Sequence, residues 1–400
     1  MIIHYHPKNR QWYHYSSLSN PLKFGKNEQP LYQVDGDLVN DTIPFLVTSL
    51  DERVGPLIGI LADRKDNQTI AGNGSLFKEI QKKLLDHGGI SIVFTPDGIC
   101  ESKMEGFVYL PNQDKWIPAC CPLPHIVYNR IPYRKAEKSN SFEYVRALLK
   151  KHHIPFFNPS FINKYDMYEL FTLHSTLISF LPDTIMVNEK KRLFDFLQNH
   201  QKIYLKPTQA SKGKGISRMN LDSHQKITLT SISEQTVFPN FEAFWVNWEP
   251  TFQTKPFLAQ EAITSDTLDG HRYDLRILAH FESQQYHVTG VGIRQSLEQD
   301  VTTHLPNGGR ILPYTLIQND RHDEFIKRMV QECGKILSEQ LGFFGEFSID
   351  AGITNTGGYV IYEVNSKPMS FDEEEIEANR IEKLCKLFFQ KAAFVQASHG

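Results

Sequence analysis

Apolar residues fall along the chain in two rhythms, and their order predicts the architecture. Unbroken apolar runs at residues 57–61 (LIGIL), 90–94 (ISIVF) and 126–128 (IVY) have the length of buried strands. Between the first two, apolar positions from Phe77 to Leu85 recur at helical spacing. Strand, helix, strand in that order makes a βαβ unit with parallel strands. A helix follows over residues 141–152, and Pro155 and Pro159 behind it mark a boundary. Beyond the boundary the pattern changes. Residues 202–205, 256–263, 273–281 and 286–294 read as strands, and 164–180 and 323–341 as helices. Residues 343–353 and 358–365 frame a turn, and 373–394 close as a helix. The first fifty residues, rich in Tyr, Asn and Ser with one apolar run at 43–50, predict a small β-rich module.

Composition narrows the class. Four hundred residues exceed one compact core, so two or three domains are expected. Hydrophobic residues at 40% and charged residues at 22% describe an ordinary soluble protein. A net charge of −3 gives no general attraction to nucleic acid or anionic lipid. The basic run Lys190, Lys191 and Arg192 lies between Glu189 and Asp195 and reads as the solvated start of a helix. No apolar stretch approaches the roughly 18 residues of a membrane span, and the N-terminus lacks the pattern of a signal peptide. Cys100, Cys120, Cys121, Cys333 and Cys385 form no CxxC pair. Reduced thiols in a cytoplasmic protein are the expectation.

The strongest chemical signal is GEFSIDAGITNTGGYVIYEVNSKP, residues 345–368. Both flanks alternate like strands, and Asn355, Thr356, Gly357 and Gly358 are turn residues. A turn centred between Thr356 and Gly357 puts Asp350 opposite Glu363 and Ser348 opposite Asn365. Asp350, Glu363 and Asn365 then share one sheet face. Opposed carboxylates repel unless something positive lies between them. Three convergent oxygen donors make a site for a hard cation, magnesium or manganese, carrying a nucleotide's phosphates.

Upstream residues supply the rest of a nucleotide site. Lys206 ends a strand and shares its face with Tyr204, where its ammonium suits phosphate oxygens. Ser211, Lys212, Gly213, Lys214 and Gly215 offer flexible backbone N–H groups to a phosphate chain, although the run is not a P-loop. Gly72 and Gly74 sit in the strand-to-helix loop of the first βαβ unit, where a phosphate could rest on the helix N-terminus, but AGNGS is not a complete dinucleotide fingerprint. In the segment containing Gln260, Glu261, Ala262 and Ile263, backbone groups can pair with an adenine edge while Glu261 accepts from an amino group. Asp274 and Arg276 flank Leu275 on one strand face, a ribose contact and a charge clamp.

In this order the residues resemble the ATP-grasp superfamily of carboxylate–amine ligases, from about residue 160 to 370. Lys164, in Asn163-Lys164-Tyr165-Asp166, matches the earlier nucleotide-contacting lysine of that superfamily. Gly59-Ile60-Leu61, residues 127–131 (VYNRI), Gly308-Gly309 and Tyr362-Glu363-Val364-Asn365 look like the YheC/YheD family of endospore coat-associated ATP-grasp proteins. The resemblance implies an α/β fold: a small β-rich module (residues 1–54), a Rossmann-like pre-ATP-grasp domain (55–158), and the two ATP-grasp lobes (159–263 and 264–400). It implies ATP and magnesium as cofactors, a carboxylate and an amine as substrates, an acyl phosphate between them, and an association with spore-coat proteins. A spore-coat protein that binds ATP without turnover and an ATP-grasp kinase are the alternatives. Two positions depart from the superfamily. Ser348 stands where many of these ligases place an arginine, and Asn307 where relatives carry a basic residue before Gly-Gly. Arg276, Arg294 or Arg310 is then expected to supply the missing charge.

Overall fold

The computed structural model describes residues 1–16, 20–34, 41–66, 69–209, 215–297 and 308–394. Leu57–Leu61 lies within a six-stranded sheet and pairs in parallel with Ile90–Phe94 on one side and Ile126–Asn129 on the other. All five of its residues are buried because both faces of the sheet are covered. The intervening helix, Gly74–Asp86, begins where the Asn73 side chain accepts from the Leu76 N–H. A hairpin that periodicity does not predict, Met104–Leu110 with Lys115–Cys121, extends the sheet in antiparallel fashion.

Alternate strand residues enter two different cores. On one face Leu57, Ile92 and Val127 pack with the helix Asn140–Lys151 and with Ile3, Tyr5, Trp12, Phe24 and Phe45. The β-rich N-terminal residues therefore share a core with the first sheet. On the other face Ile58, Ile60 and Tyr128 meet Leu76 and Phe77, and also Leu384, Leu387 and Phe388 of the last helix, Glu374–Lys391.

The second sheet runs, in spatial order, Thr184–Met186, Phe257–Glu261, Lys202–Pro207, Ser217–Leu221, Ile227–Thr230 and Gln235–Phe238, all antiparallel. The helices Lys190–His200 and Phe241–Thr254 pack on one face. The third sheet runs Gly309–Pro313, Gln285–Ser296, His271–Glu282, Glu346–Ile353 and Tyr359–Asn365, with the helix Asp320–Leu341 behind it. The helix expected over 164–180 stops earlier, as Lys164–Thr172 followed by one tight turn at Ile178–Phe180. Thr172, Ser175 and Thr176 are weak helix formers there, and the Thr176 hydroxyl donates to Glu332 instead.

A buried charge cluster joins the first sheet to the third. Glu346 accepts from Arg380 at 2.8 and 2.9 Å, from Arg130 at 3.1 Å and from the Tyr128 hydroxyl, with His280 Nε2 3.4 Å away. Burial alone would raise its pKa, but Arg380, His280 and Arg130 hold the carboxyl well below the usual range. Arg130 and Arg380 also donate to the Pro368 carbonyl. The VYNRI segment thus fixes the loop that leaves Asn365.

Candidate nucleotide and metal site

The hairpin Glu346–Ile353 with Tyr359–Asn365 places Asp350 opposite Glu363 and Ser348 opposite Asn365, the expected register. It arrives there by a different route. Nearer the turn the pairs are Ile353 with Tyr359, Gly352 with Val360 and Ala351 with Ile361, which centres the turn on Thr356. Tyr362 is an extra residue, absorbed as a bulge beside Asp350, and it shifts the pairing by one. The Asn365 amide donates to Asp350 Oδ2 at 3.2 Å. Lys164, first residue of the helix capped by Asn163, donates to the Glu363 carboxylate. That helix is held beneath the hairpin, where Met167 Sδ accepts from the Val364 N–H.

Lys206 enters from the second sheet. Its ammonium donates to Gln260 Oε1, and Gln260 Nε2 donates to Thr184 Oγ1 at 3.0 Å. It also lies 5.4 Å from the Tyr204 ring centre, so the two side chains share a face as alternation requires. The residue keeps some exposure, but its amine is closely surrounded. Burial first, and the nearby Lys164 charge second, lower its pKa to about 8 against the pull of Glu363. Arg272 spans the cleft, donating to the Tyr204 hydroxyl at 2.8 Å and lying 3.4 Å from Asp274. Arg134, from the loop after Ile126–Asn129, lies within electrostatic range of Glu363, and burial lowers its pKa.

Two carboxylates and the Asn365 amide meet here beside two lysines from different elements. The donors are all oxygen, which fits magnesium or manganese, and the lysines fit the phosphates such an ion carries. Sequence reasoning did not find Arg272 or Arg134. Strand alternation could have found Arg272, two residues before Asp274 on the same strand.

The remaining expected residues divide. Arg276 pairs in register with Asp350 and Asp274 with Arg294, so all four face the cleft side of the third sheet. The Arg276 guanidinium stacks 4.7 Å from the Phe371 ring centre and donates to the Met369 carbonyl at 3.4 Å. Arg294 is buried and gripped by Glu373 at 2.5 and 2.8 Å. Arg310 pairs with Gln295 and so points to the opposite face from Arg294. Ser348 is buried beside Leu278. Gln260 faces Lys206, whereas Glu261, one residue on, directs its carboxylate to the opposite face, near Asp183 and His200. The expected side-chain contact from Glu261 to an adenine amino group is therefore not what the strand presents. The Ala262 N–H donates to the Lys202 carbonyl, and Ile263 follows it as the chain leaves the strand. Gly215 has a φ of +72°, a turn geometry that suits glycine. Ser211, Lys212, Gly213, Lys214 and Asn307 lie outside the described residues.

A family model described as YheC/D like ATP-grasp matches residues 153–395, more than half of the chain. The chain is a YheC/D-like ATP-grasp protein. Among its ATP-grasp relatives, endospore coat-associated protein YheD of Bacillus subtilis (strain 168) is 25% identical over 333 residues, covering 79% of this chain and 73% of the relative. Endospore coat-associated protein YheC of the same organism is 21% identical over 304 residues, covering 72% of this chain and 84% of the relative. D-alanyl-alanine synthetase A from Vibrio cholerae O1 biovar eltor str. N16961 superposes with a TM-score of 0.51 at 11% identity, covering 85% of this chain and 99% of that one. D-cycloserine synthetase DcsG gives 0.51 at 12%, covering 83% and 99%. At such identities the likeness establishes the ATP-grasp fold. Among the described residues, no helix is long and apolar enough to cross a membrane.

Proposed function

We propose that this YheC/D-like protein is a magnesium-dependent ATP-grasp ligase that joins a carboxylate to an amine. The observation that carries this is the register of Asp350, Glu363 and Asn365 on one face, with Lys164 and Lys206 beside them. When bound, Mg·ATP supplies an electrophilic γ-phosphoryl group. Asp350, Glu363 and Asn365 hold the cation, and Lys164 and Lys206 take the phosphate oxygens. Backbone groups of residues 260–263 meet the adenine edge, and Asp274 the ribose. A substrate carboxylate displaces ADP from the γ-phosphorus, and an amine then displaces phosphate from the acyl group, losing its proton to solvent. Catalysis is mainly positioning and charge neutralisation. Arg276, opposite Asp350 one strand away, supplies the charge that Ser348 does not. The names of the relatives support a place in or near the spore coat, with the protein made on the mother-cell side.

Calorimetry on Asp350→Asn and Glu363→Gln tests the binding half. Both should weaken Mg·ATP far more than metal-free ATP, and parent-like affinity in both would sink the metal assignment. A screen of carboxylate and amine pairs for ADP release tests the chemistry. ADP release that needs no amine would make the protein a kinase. Tight Mg·ATP binding without ADP release would favour a non-catalytic assembly role.

A further inference from the structure

The face of the second sheet turned away from Lys206 carries another convergence of ligating groups. Thr184 pairs with Gln260, and one step outward the Glu261 N–H donates to the Asp183 carbonyl at 2.9 Å. Asp183 and Glu261 thus end two antiparallel strands with their carboxylates side by side, where like charges repel. His200, last residue of the helix Lys190–His200, comes between them. Its Nε2 lies 3.5 Å from Asp183 Oδ2 and its Nδ1 3.8 Å from Glu261 Oε1, both beyond hydrogen-bonding length. One donor atom from each of the three residues fits within a 4.8 Å envelope. The imidazole is packed against Phe196 with ring centres 4.5 Å apart, while Asp183 is exposed to solvent.

We propose that Asp183, His200 and Glu261 form a second metal site, for a transition cation of the zinc or cobalt class. One imidazole with two carboxylates suits such ions, whereas magnesium prefers oxygen alone. Metal–ligand bonds of about 2.0–2.2 Å would draw the three donors closer together. The ion would take one nitrogen of the anchored ring, the two carboxylates can close on that nitrogen by side-chain rotation, and water completes the shell on the exposed side. The bound ion removes the repulsion between strand ends. It also ties together the end of the helix, the start of Thr184–Met186 and the end of Phe257–Glu261, the segments that carry Thr184 and Gln260. The site would therefore brace the strand end that carries Gln260 from behind, on the face turned away from Lys206. It is independent of the Asp350 triad, and so is its test.

The experiment is titration of chelator-treated full-length protein with Zn²⁺ and Co²⁺, followed by calorimetry, Co²⁺ visible absorption and thermal denaturation. Parent and Asp350→Asn should each show a site that raises Tm and gives a Co²⁺ spectrum. His200→Ala should weaken that site at least ten-fold and abolish the spectrum while keeping Mg·ATP affinity within a few-fold of the parent. Asp183→Asn, which leaves the helix end intact, should weaken it as well and decides the matter if His200→Ala folds poorly. Zn²⁺ binding that is unchanged in Asp183→Asn, or that disappears in Asp350→Asn, would overturn the proposal.

Discussion

Lys206 and Lys164 illustrate how one residue type serves two electrostatic purposes in a single cleft. With its pKa lowered to about 8, Lys206 loses its proton from the nucleotide-free protein as pH rises through that value, well below the ordinary lysine range. Phosphate favours the ammonium, so ATP binding near pH 8 should take up a proton. Calorimetry in buffers of different ionisation enthalpy should show the uptake, and Lys206→Arg should remove it. Lys164 instead neutralises a metal ligand, Glu363. Lys164→Ala should weaken ATP binding by about 1.5–3 kcal/mol, the scale of a charged hydrogen bond, yet strengthen Mn²⁺ binding in the absence of nucleotide. Losses of both kinds would show that the lysine only supports the fold. The two arginines separate in the same way. Arg294→Ala breaks a largely buried pair with Glu373 and should cost about 3 kcal/mol or more of stability. Arg276→Ala should leave denaturation midpoints near the parent's while turnover falls roughly a hundred-fold.

The hairpin that carries the metal ligands depends on a bulge and on a glycine. A Cβ on Gly352 would collide with the Tyr362 hydroxyl, which lies 3.2 Å from the Ser265 hydroxyl. Gly352→Ala should therefore displace Tyr362 at about 1–3 kcal/mol in stability, with a further loss of Mg·ATP affinity. Unchanged melting and binding would mean that the bulge absorbs the methyl group. The parallel strands and this hairpin were legible in the sequence because their apolar periodicity is strong and their turns contain Gly and Asn. Asp350 still faces Glu363 although the turn centres half a residue before the Thr356–Gly357 bond, since Tyr362 supplies the compensating offset. Strands such as Ser217–Leu221 and Gln235–Phe238 are polar on one side and short, and their pattern did not separate them from loop. Nor can periodicity show contacts between distant segments. The partnership of Arg130 and Arg380 around Glu346 needs the folded chain.

At the scale of the whole molecule, that cluster decides how the first and third sheets act together. Glu346→Gln leaves two buried arginines facing one neutral amide, and should destabilise by about 3–5 kcal/mol. The carboxyl has a lower pKa folded than unfolded. Its contribution is therefore full above the ordinary carboxylate range and declines as pH falls through that range towards the folded value. Acid unfolding curves should be correspondingly shallower in Glu346→Gln than in the parent. The last helix carries a further consequence, for synthesis. Leu384, Leu387 and Phe388 cover the face of the first sheet that Ile58, Ile60 and Tyr128 present. At about 5–20 residues per second a ribosome needs roughly 15–60 s to travel from that sheet to the helix that covers it. Throughout that interval the nascent chain displays an apolar surface that the helix Glu374–Lys391 has yet to cover, and chaperones that hold unfinished proteins should be able to capture it.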